Sequence, residues 1–168
     1  MASARFAAAG AALGGAVYVA GGYDGGGYLA TAERLDPREG RWQKLPDMAA
    51  ARGAHAMAAL GGAVYALGGY DSKAGGGMGF LTAVERFDAR AGRWEAAAPL
   101  AAPLAHGWAA ALEGRLVVGG GQADDAGRSA PYLGFDHCDA AADTWAPACG
   151  APPAARFAPS ACVVEAAA

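Results

Sequence analysis

The sequence predicts an all-β chain assembled from four-stranded repeats, and three observations carry that reading. Trp42, Trp94 and Trp145 stand 52 and 51 residues apart. Each closes a unit that also holds a glycine doublet, at Gly21-Gly22, Gly68-Gly69 and Gly120-Gly121. The stretch AALGGAVYVAGGYDG returns 47 residues later as AALGGAVYALGGYDS. A period near 50 residues is the mark of a repeat architecture, in which each unit is one supersecondary block.

Composition permits a packed core. Of the 168 residues, 54% are hydrophobic and 17% charged, which excludes a disordered chain. The 27 glycines do not form a low-complexity tract, because the glycine pairs, tyrosines and tryptophans recur at fixed positions. A net charge of -3 gives no basic face for nucleic acid. Cys138, Cys149 and Cys162 show no metal-ligand spacing. They fit reduced thiols and a cytoplasmic setting, with a Cys138–Cys149 disulfide as the alternative. Arg5 followed by the apolar run Phe6–Ala20 imitates a signal peptide. Its internal copy identifies it as the first repeat instead. The run is also too short and too broken by glycine to cross a membrane as a helix.

The whole chain, 1–168, is expected to be one repeat region. Its units are 5–51, 52–103 and 104–155, with a single strand of a fourth at 156–168. Within the second unit, His55–Leu60 and Ala63–Leu67 are the first two strands. They are joined by Gly61-Gly62, a tight hairpin signal that recurs as Gly14-Gly15 and Glu113-Gly114. Val17 and Val19 alternate with Tyr18 at the period of a strand. The third strand is Ala83–Phe87 and the fourth starts at Trp94. The turns between them, Asp36 to Gly40 and Asp88 to Gly92, have Asp to bond the turn backbone and Gly to allow positive φ. The second unit carries five extra residues in SKAGGGMGF, a loop insertion. Alanine-rich stretches such as Ala105–Leu112 favour helix locally, but the repeat register overrides them. Four antiparallel strands per ~50 residues make one blade of a β-propeller.

These residues resemble the kelch repeat family. The second unit carries the pattern as Arg52, Tyr65 to Gly68-Gly69, Glu85-Arg86-Phe87-Asp88 and Trp94. The first carries it as Arg5, Tyr18 to Gly21-Gly22, Glu33-Arg34-Leu35-Asp36 and Trp42. The third is degenerate, with Leu104 in place of Arg, Val117 in place of Tyr, and Asp136-His137-Cys138-Asp139 as its third strand. The resemblance implies a partial kelch β-propeller: three four-stranded antiparallel blades plus the first strand of a fourth. It also implies that the large Tyr and Trp side chains fill the wedges between blades, and that the Gly pairs and Trp42, Trp94 and Trp145 are structural.

Chemistry is mostly absent from the sequence. There is no nucleophile elbow, phosphate loop or zinc-protease motif. His55, His106 and His137 fall at unequal positions and are not expected to converge on a metal. The ligand patterns of kelch-like copper oxidases, sugar epimerases and iron-dependent specifier proteins are missing. No cofactor and no catalytic activity are expected; the rival reading is part of a kelch-fold enzyme acting on a sugar or small molecule. What remains is the mouth that the resemblance implies. It takes Tyr23, Asp24 and Tyr28 from the first unit, and Tyr70, Asp71, Ser72 and Lys73 from the second. The third adds Gln122, Asp124, Asp125 and Arg128. Arg5, Arg52 and Arg156 lead into the first strands and are expected at the same mouth, where they match an acidic peptide. Their alternative role is to cap blade ends through carbonyls and carboxylates. The expected function is a protein-interaction module. By family analogy alone, one use is substrate recruitment for a ubiquitin ligase. Open blade edges are expected to favour self-association.

Overall fold

The computed structural model describes residues 1, 3–71, 79–125, 128–131, 135–139 and 142–147. Its first repeat forms β1 (Ala9–Leu13), β2 (Ala16–Ala20), β3 (Ala32–Asp36) and β4 (Arg41–Leu45). The second supplies β5 (Ala56–Leu60) and β6 (Ala63–Leu67), then β7 (Tyr70–Asp71) and β8 (Gly79–Phe80), then β9 (Val84–Asp88) and β10 (Arg93–Ala97). The third follows with β11 (Trp108–Leu112), β12 (Arg115–Gly119), β13 (Gln122–Asp125), β14 (Arg128–Pro131), β15 (Phe135–Asp139) and β16 (Thr144–Pro147). The three blades are the antiparallel sheets β1-β2-β3-β4, β5-β6-β9-β10 and β11-β12-β15-β16. Between the second and third strands of blades 2 and 3 stand two extra ribbons, β7-β8 and β13-β14. The single strand expected at 156–168 lies outside the described residues.

The hairpin turns follow the sequence signals. Gly14 and Gly15 have φ of 60° and 78°, and Gly61 and Gly62 have 59° and 80°. Two consecutive positive φ values make a type I′ turn, whose twist matches that of the flanking strands. The turns from third to fourth strand are closed by carboxylates. Asp88 Oδ1 accepts the backbone N–H groups of Arg90 and Ala91, both at 2.9 Å, and Gly92 ends the turn at φ 69°. The strands themselves shift by one residue from expectation. His55 precedes β5 and is not part of it, and the third strand of blade 2 runs Val84–Asp88 and not Ala83–Phe87.

β5 packs between β1 and β11, so the first strands of the blades stand side by side around the axis. These are the alanine-rich strands AGAAL, AMAAL and WAAAL. Tertiary pairing overrides their helical bias. The core lies between blades. Tyr18, Met57, Val64, Ala66 and Phe87 form the seam between blades 1 and 2. Tyr65, Leu67, Val84, Leu104 and Leu116 form the seam between blades 2 and 3. β6 alternates residue by residue between the two seams, as the period of a strand requires.

Trp94 and Trp145 pack back against the preceding blade and are half-buried. Trp94 Nε1 donates to the carbonyl of Pro46 at 2.9 Å, and Trp145 Nε1 to that of Ala98 at 2.9 Å. These indoles therefore clasp neighbouring blades, the seam role the resemblance implied. Trp42, on the first blade, joins neither cluster. The glycine pairs serve the same seams. The Gly22 N–H donates to the Arg52 carbonyl at 2.8 Å, and the Gly69 N–H to the Leu104 carbonyl at 2.7 Å. A Cβ on Gly21 or Gly68 would collide with those same carbonyl oxygens, and both residues have positive φ. Only glycine meets both demands.

Candidate functional site

Each blade is entered by a short segment that pairs with the residue just after its glycine doublet. The bridges are Phe6 with Tyr23, Gly53 with Tyr70, and Ala105 with Gln122. The next residues, Ala7, Ala54 and His106, have φ of 53°, 53° and 54°. The Ala54 N–H donates to the Ala7 carbonyl at 2.8 Å, and the His106 N–H to the Ala54 carbonyl at 2.7 Å. One conformation, repeated blade by blade, thus ties the three segments into an arc at one end of the molecule.

That arc floors a depression of about 580 Å³. Phe6, Tyr23 and Tyr28 line it from blade 1, Tyr70 from blade 2, and His106 and Gln122 from blade 3. The volume is that of a small-ligand or side-chain site. Its walls are ordered by ring contacts. Tyr23 stands 5.2 Å from Phe6 and 5.3 Å from Tyr28, centroid to centroid. Tyr70 makes edge contacts with Phe80 at 4.8 Å and His106 at 5.3 Å. The Tyr70 hydroxyl donates to Gln122 Oε1 at 2.8 Å, joining blades 2 and 3. Phe6 is 66% exposed and adds its apolar ring to the surface beside Tyr23. Burial pushes the His106 imidazole below its usual range, favouring the neutral form.

Of the residues expected at the mouth, Tyr23, Tyr28, Tyr70 and Gln122 come together in this depression. Asp24 lies beside it on the exposed turn of blade 1, and Asp71 follows Tyr70 on β7. Asp124, Asp125 and Arg128 fall on the β13-β14 ribbon directly after Gln122. Ser72, Lys73 and Arg156 lie outside the described residues. Phe6 was not among the residues expected at the mouth, and His106 was weighed only as a metal ligand. The signal for Phe6 is the repeat itself, since Phe6, Gly53 and Ala105 each stand 17 residues before their bridge partner, and His106 follows Ala105 as Ala7 follows Phe6.

Arg5 and Arg52 correct the expectation that they face a partner. Arg52 is fully buried. Its guanidinium donates to the carbonyls of Gly68 at 2.9 Å and Ala83 at 2.8 Å, and to Glu85 Oε1 at 2.7 Å. Arg5 repeats the arrangement with Gly21, Thr31 and Glu33. Both therefore act as blade caps, the alternative role that five donors in a fixed fork allow. Glu85 also accepts the N–H groups of Ala49 at 2.7 Å and Ala50 at 3.1 Å, so this ion pair locks the incoming loop as well. In blade 3, Leu104 replaces the arginine and is buried in the apolar seam, while Asp136 takes the position of Glu85.

A second cavity of about 460 Å³ opens at the other end, between blades 2 and 3. Its charges answer one another: Arg86 pairs with Glu95 at 3.1 Å, and Asp143 accepts the Ala98 N–H. Among the described residues, no three potential metal ligands converge. His55 is buried at a blade seam, His106 lies at the mouth and His137 is on β15. Cys138 is a free, buried thiol; Cys149 lies outside the described residues. No described helix is long and apolar enough to cross a membrane.

Comparison with known proteins gives one family and a fold. The family model described as the Kelch motif matches residues 4–49 and 51–101. No curated protein matches the sequence. A solved structure described as "Structure of YjhT" is similar, with a TM-score of 0.79 at 15% identity, over 91% of this chain and 53% of that one. At that identity the likeness is one of fold. This chain spans about half the length of that structure.

Proposed function

The chain belongs to the kelch repeat family, and on that premise we propose that it is a binding module without catalytic chemistry of its own, using the mouth to hold a protein or peptide partner. The observation that carries this reading is the aromatic depression built jointly by equivalent loops of three blades. Aromatic side chains dominate binding hot spots because they present large, rigid surfaces that lose little entropy on contact. The other cavity is filled with charges that satisfy one another, and it offers no comparable apolar surface. Substrate recruitment for a ubiquitin ligase is a use of such a mouth that rests on family analogy alone.

The test is a peptide-display selection on the full chain. Retained peptides are then measured against Tyr23→Ala at the mouth and Glu95→Gln at the opposite end. Binding through the mouth predicts a loss of about 2 kcal/mol for Tyr23→Ala, as for a hot spot, and no change for Glu95→Gln. Peptides indifferent to Tyr23 but sensitive to Glu95 would move the binding face to the other end.

A further inference from the structure

We propose that the mouth seats a cationic side chain, a lysine or arginine of a basic peptide, over the rings of Phe6, Tyr23 and Tyr28 with its charge directed to Asp24. This rests on the mouth being the binding face and names the chemistry it selects.

The first observation is the ring cluster. Three aromatic rings of blade 1 meet at centroid separations of 5.2 and 5.3 Å around an open surface. Aromatic faces carry negative potential and attract a cation held within about 6 Å of the centroid. The second is a niche of about 350 Å³ that shares Phe6 and Tyr23 with the main depression and reaches Asp24. Rings and carboxylate therefore border one continuous surface. Asp24 is exposed, and its Oδ1 accepts the N–H groups of Gly26 at 2.9 Å and Gly27 at 3.0 Å. Those bonds fix the carboxylate in place and hold its pKa below the usual range, so it is charged at neutral pH.

The third observation is the balance of charge. Arg5 also borders the niche, but its side chain is 2% exposed and is ion-paired to Glu33 at 3.0 Å. Arg52 is likewise spent on Glu85 inside the blade. Burial of His106 disfavours its charged form. In sequence, the loops that follow the second strands carry four carboxylates, Asp24, Asp71, Asp124 and Asp125, against two cations, Lys73 and Arg128. An acidic partner would meet the Asp24 carboxylate, while the guanidinium groups of Arg5 and Arg52, the arginines expected to receive it, are ion-paired inside their blades. A basic partner meets aromatic faces and a fixed negative charge. The methylene stem of lysine also matches the exposed ring of Phe6.

The experiment is an NMR titration of the full chain, following the tyrosine ring signals. The probes are N-acetyl-lysine methylamide, its uncharged isostere N-acetyl-norleucine methylamide, and N-acetyl-glutamate methylamide. Lysine is expected to shift the Tyr23 and Tyr28 rings in a saturable way, at least fivefold more tightly than norleucine, and to weaken as salt is raised. Asp24→Asn keeps the acceptor that closes the turn and removes only the charge; it is expected to erase most of the preference for lysine. If norleucine matches lysine, or glutamate binds more tightly, the cationic class is overturned while the mouth stands as a binding face. If no probe shifts the rings, the cationic class is again overturned, and the mouth is judged by the peptide selection alone.

Discussion

His55 is 5% exposed, and neither ring nitrogen has a hydrogen-bond partner among the described residues. It lies at the seam of blades 1 and 2, where its ring limits the space above Gly21. Burial, assisted by the neighbouring Arg52 guanidinium, pushes its pKa from 6.5 down to about 3. The unfolded chain therefore binds one more proton than the folded chain between those values. Stability from this group is fully present above about pH 6.5 and is lost as pH falls toward 3. One proton corresponds to a slope of about 1.4 kcal/mol per pH unit. His55→Leu is expected to flatten the stability curve between pH 6.5 and 4 by close to that slope, measured by urea unfolding at each pH. An unchanged slope would place the acid sensitivity in other groups. The same seam shows where residue-level reading stops. The recurrence of Arg5 and Arg52 was legible, and so was their position at the head of each blade. Whether the guanidinium turns outward or into the blade was not, because that depends on Glu33 and Glu85, 28 and 33 residues away.

Among the elements, the hairpin between β11 and β12 differs from its two counterparts. Glu113 occupies the first turn position with φ 49°, where blades 1 and 2 place Gly14 and Gly61. A left-handed backbone costs a side chain with a Cβ roughly 1–2 kcal/mol. Asparagine tolerates this conformation better, and Asn-Gly is the preferred type I′ pair. Glu113→Asn is expected to raise stability by about 0.5–1 kcal/mol. Glu113 is exposed, so packing is not altered. The readout is a higher urea midpoint with an unchanged m-value; a fall in the midpoint would mean that the glutamate makes a compensating contact. The hairpins were legible because their turn chemistry is local. The ribbons β7-β8 and β13-β14 were not. Their strands are two to four residues long and show no alternation, and pairing depends on how the preceding glycine doublet aims the chain. The mouth was legible to the same degree: its tyrosines stand after glycine doublets, whereas Phe6 and His106 join it only through cross-strand bridges and blade-to-blade hydrogen bonds.

Across the whole molecule, stability is expected to follow the number of covered blade faces. β2, β6 and β12 have equivalent backbone pairing, each hydrogen-bonded between a first and a third strand. They differ in their faces. Every residue of β6 is buried. β2 buries Ala16, Tyr18 and Ala20 against blade 2, but Val17 on its other face is 38% exposed. β12 buries Leu116 and Val118, while Arg115 is exposed and Val117 half-buried on the opposite face. In a repeat protein, stability is approximately the sum of each unit's own stability and its interfaces with neighbours. Blade 2 has two such interfaces within the described residues, and blades 1 and 3 one each. Native-state hydrogen exchange on the 168-residue chain should therefore show the amides of Val64 to Leu67 protected at least tenfold more than those of β2 and β12. Since Val17–Ala20, Val64–Leu67 and Leu116–Gly119 are each paired on both sides, comparing those amides would measure the extra packed face, with tenfold corresponding to about 1.4 kcal/mol. Equal protection in the three strands would mean that the blades open together, as one cooperative unit held by the Arg52–Glu85 lock and the indole clasps. The exchange pattern thus separates additive blade seams from a single cooperative fold.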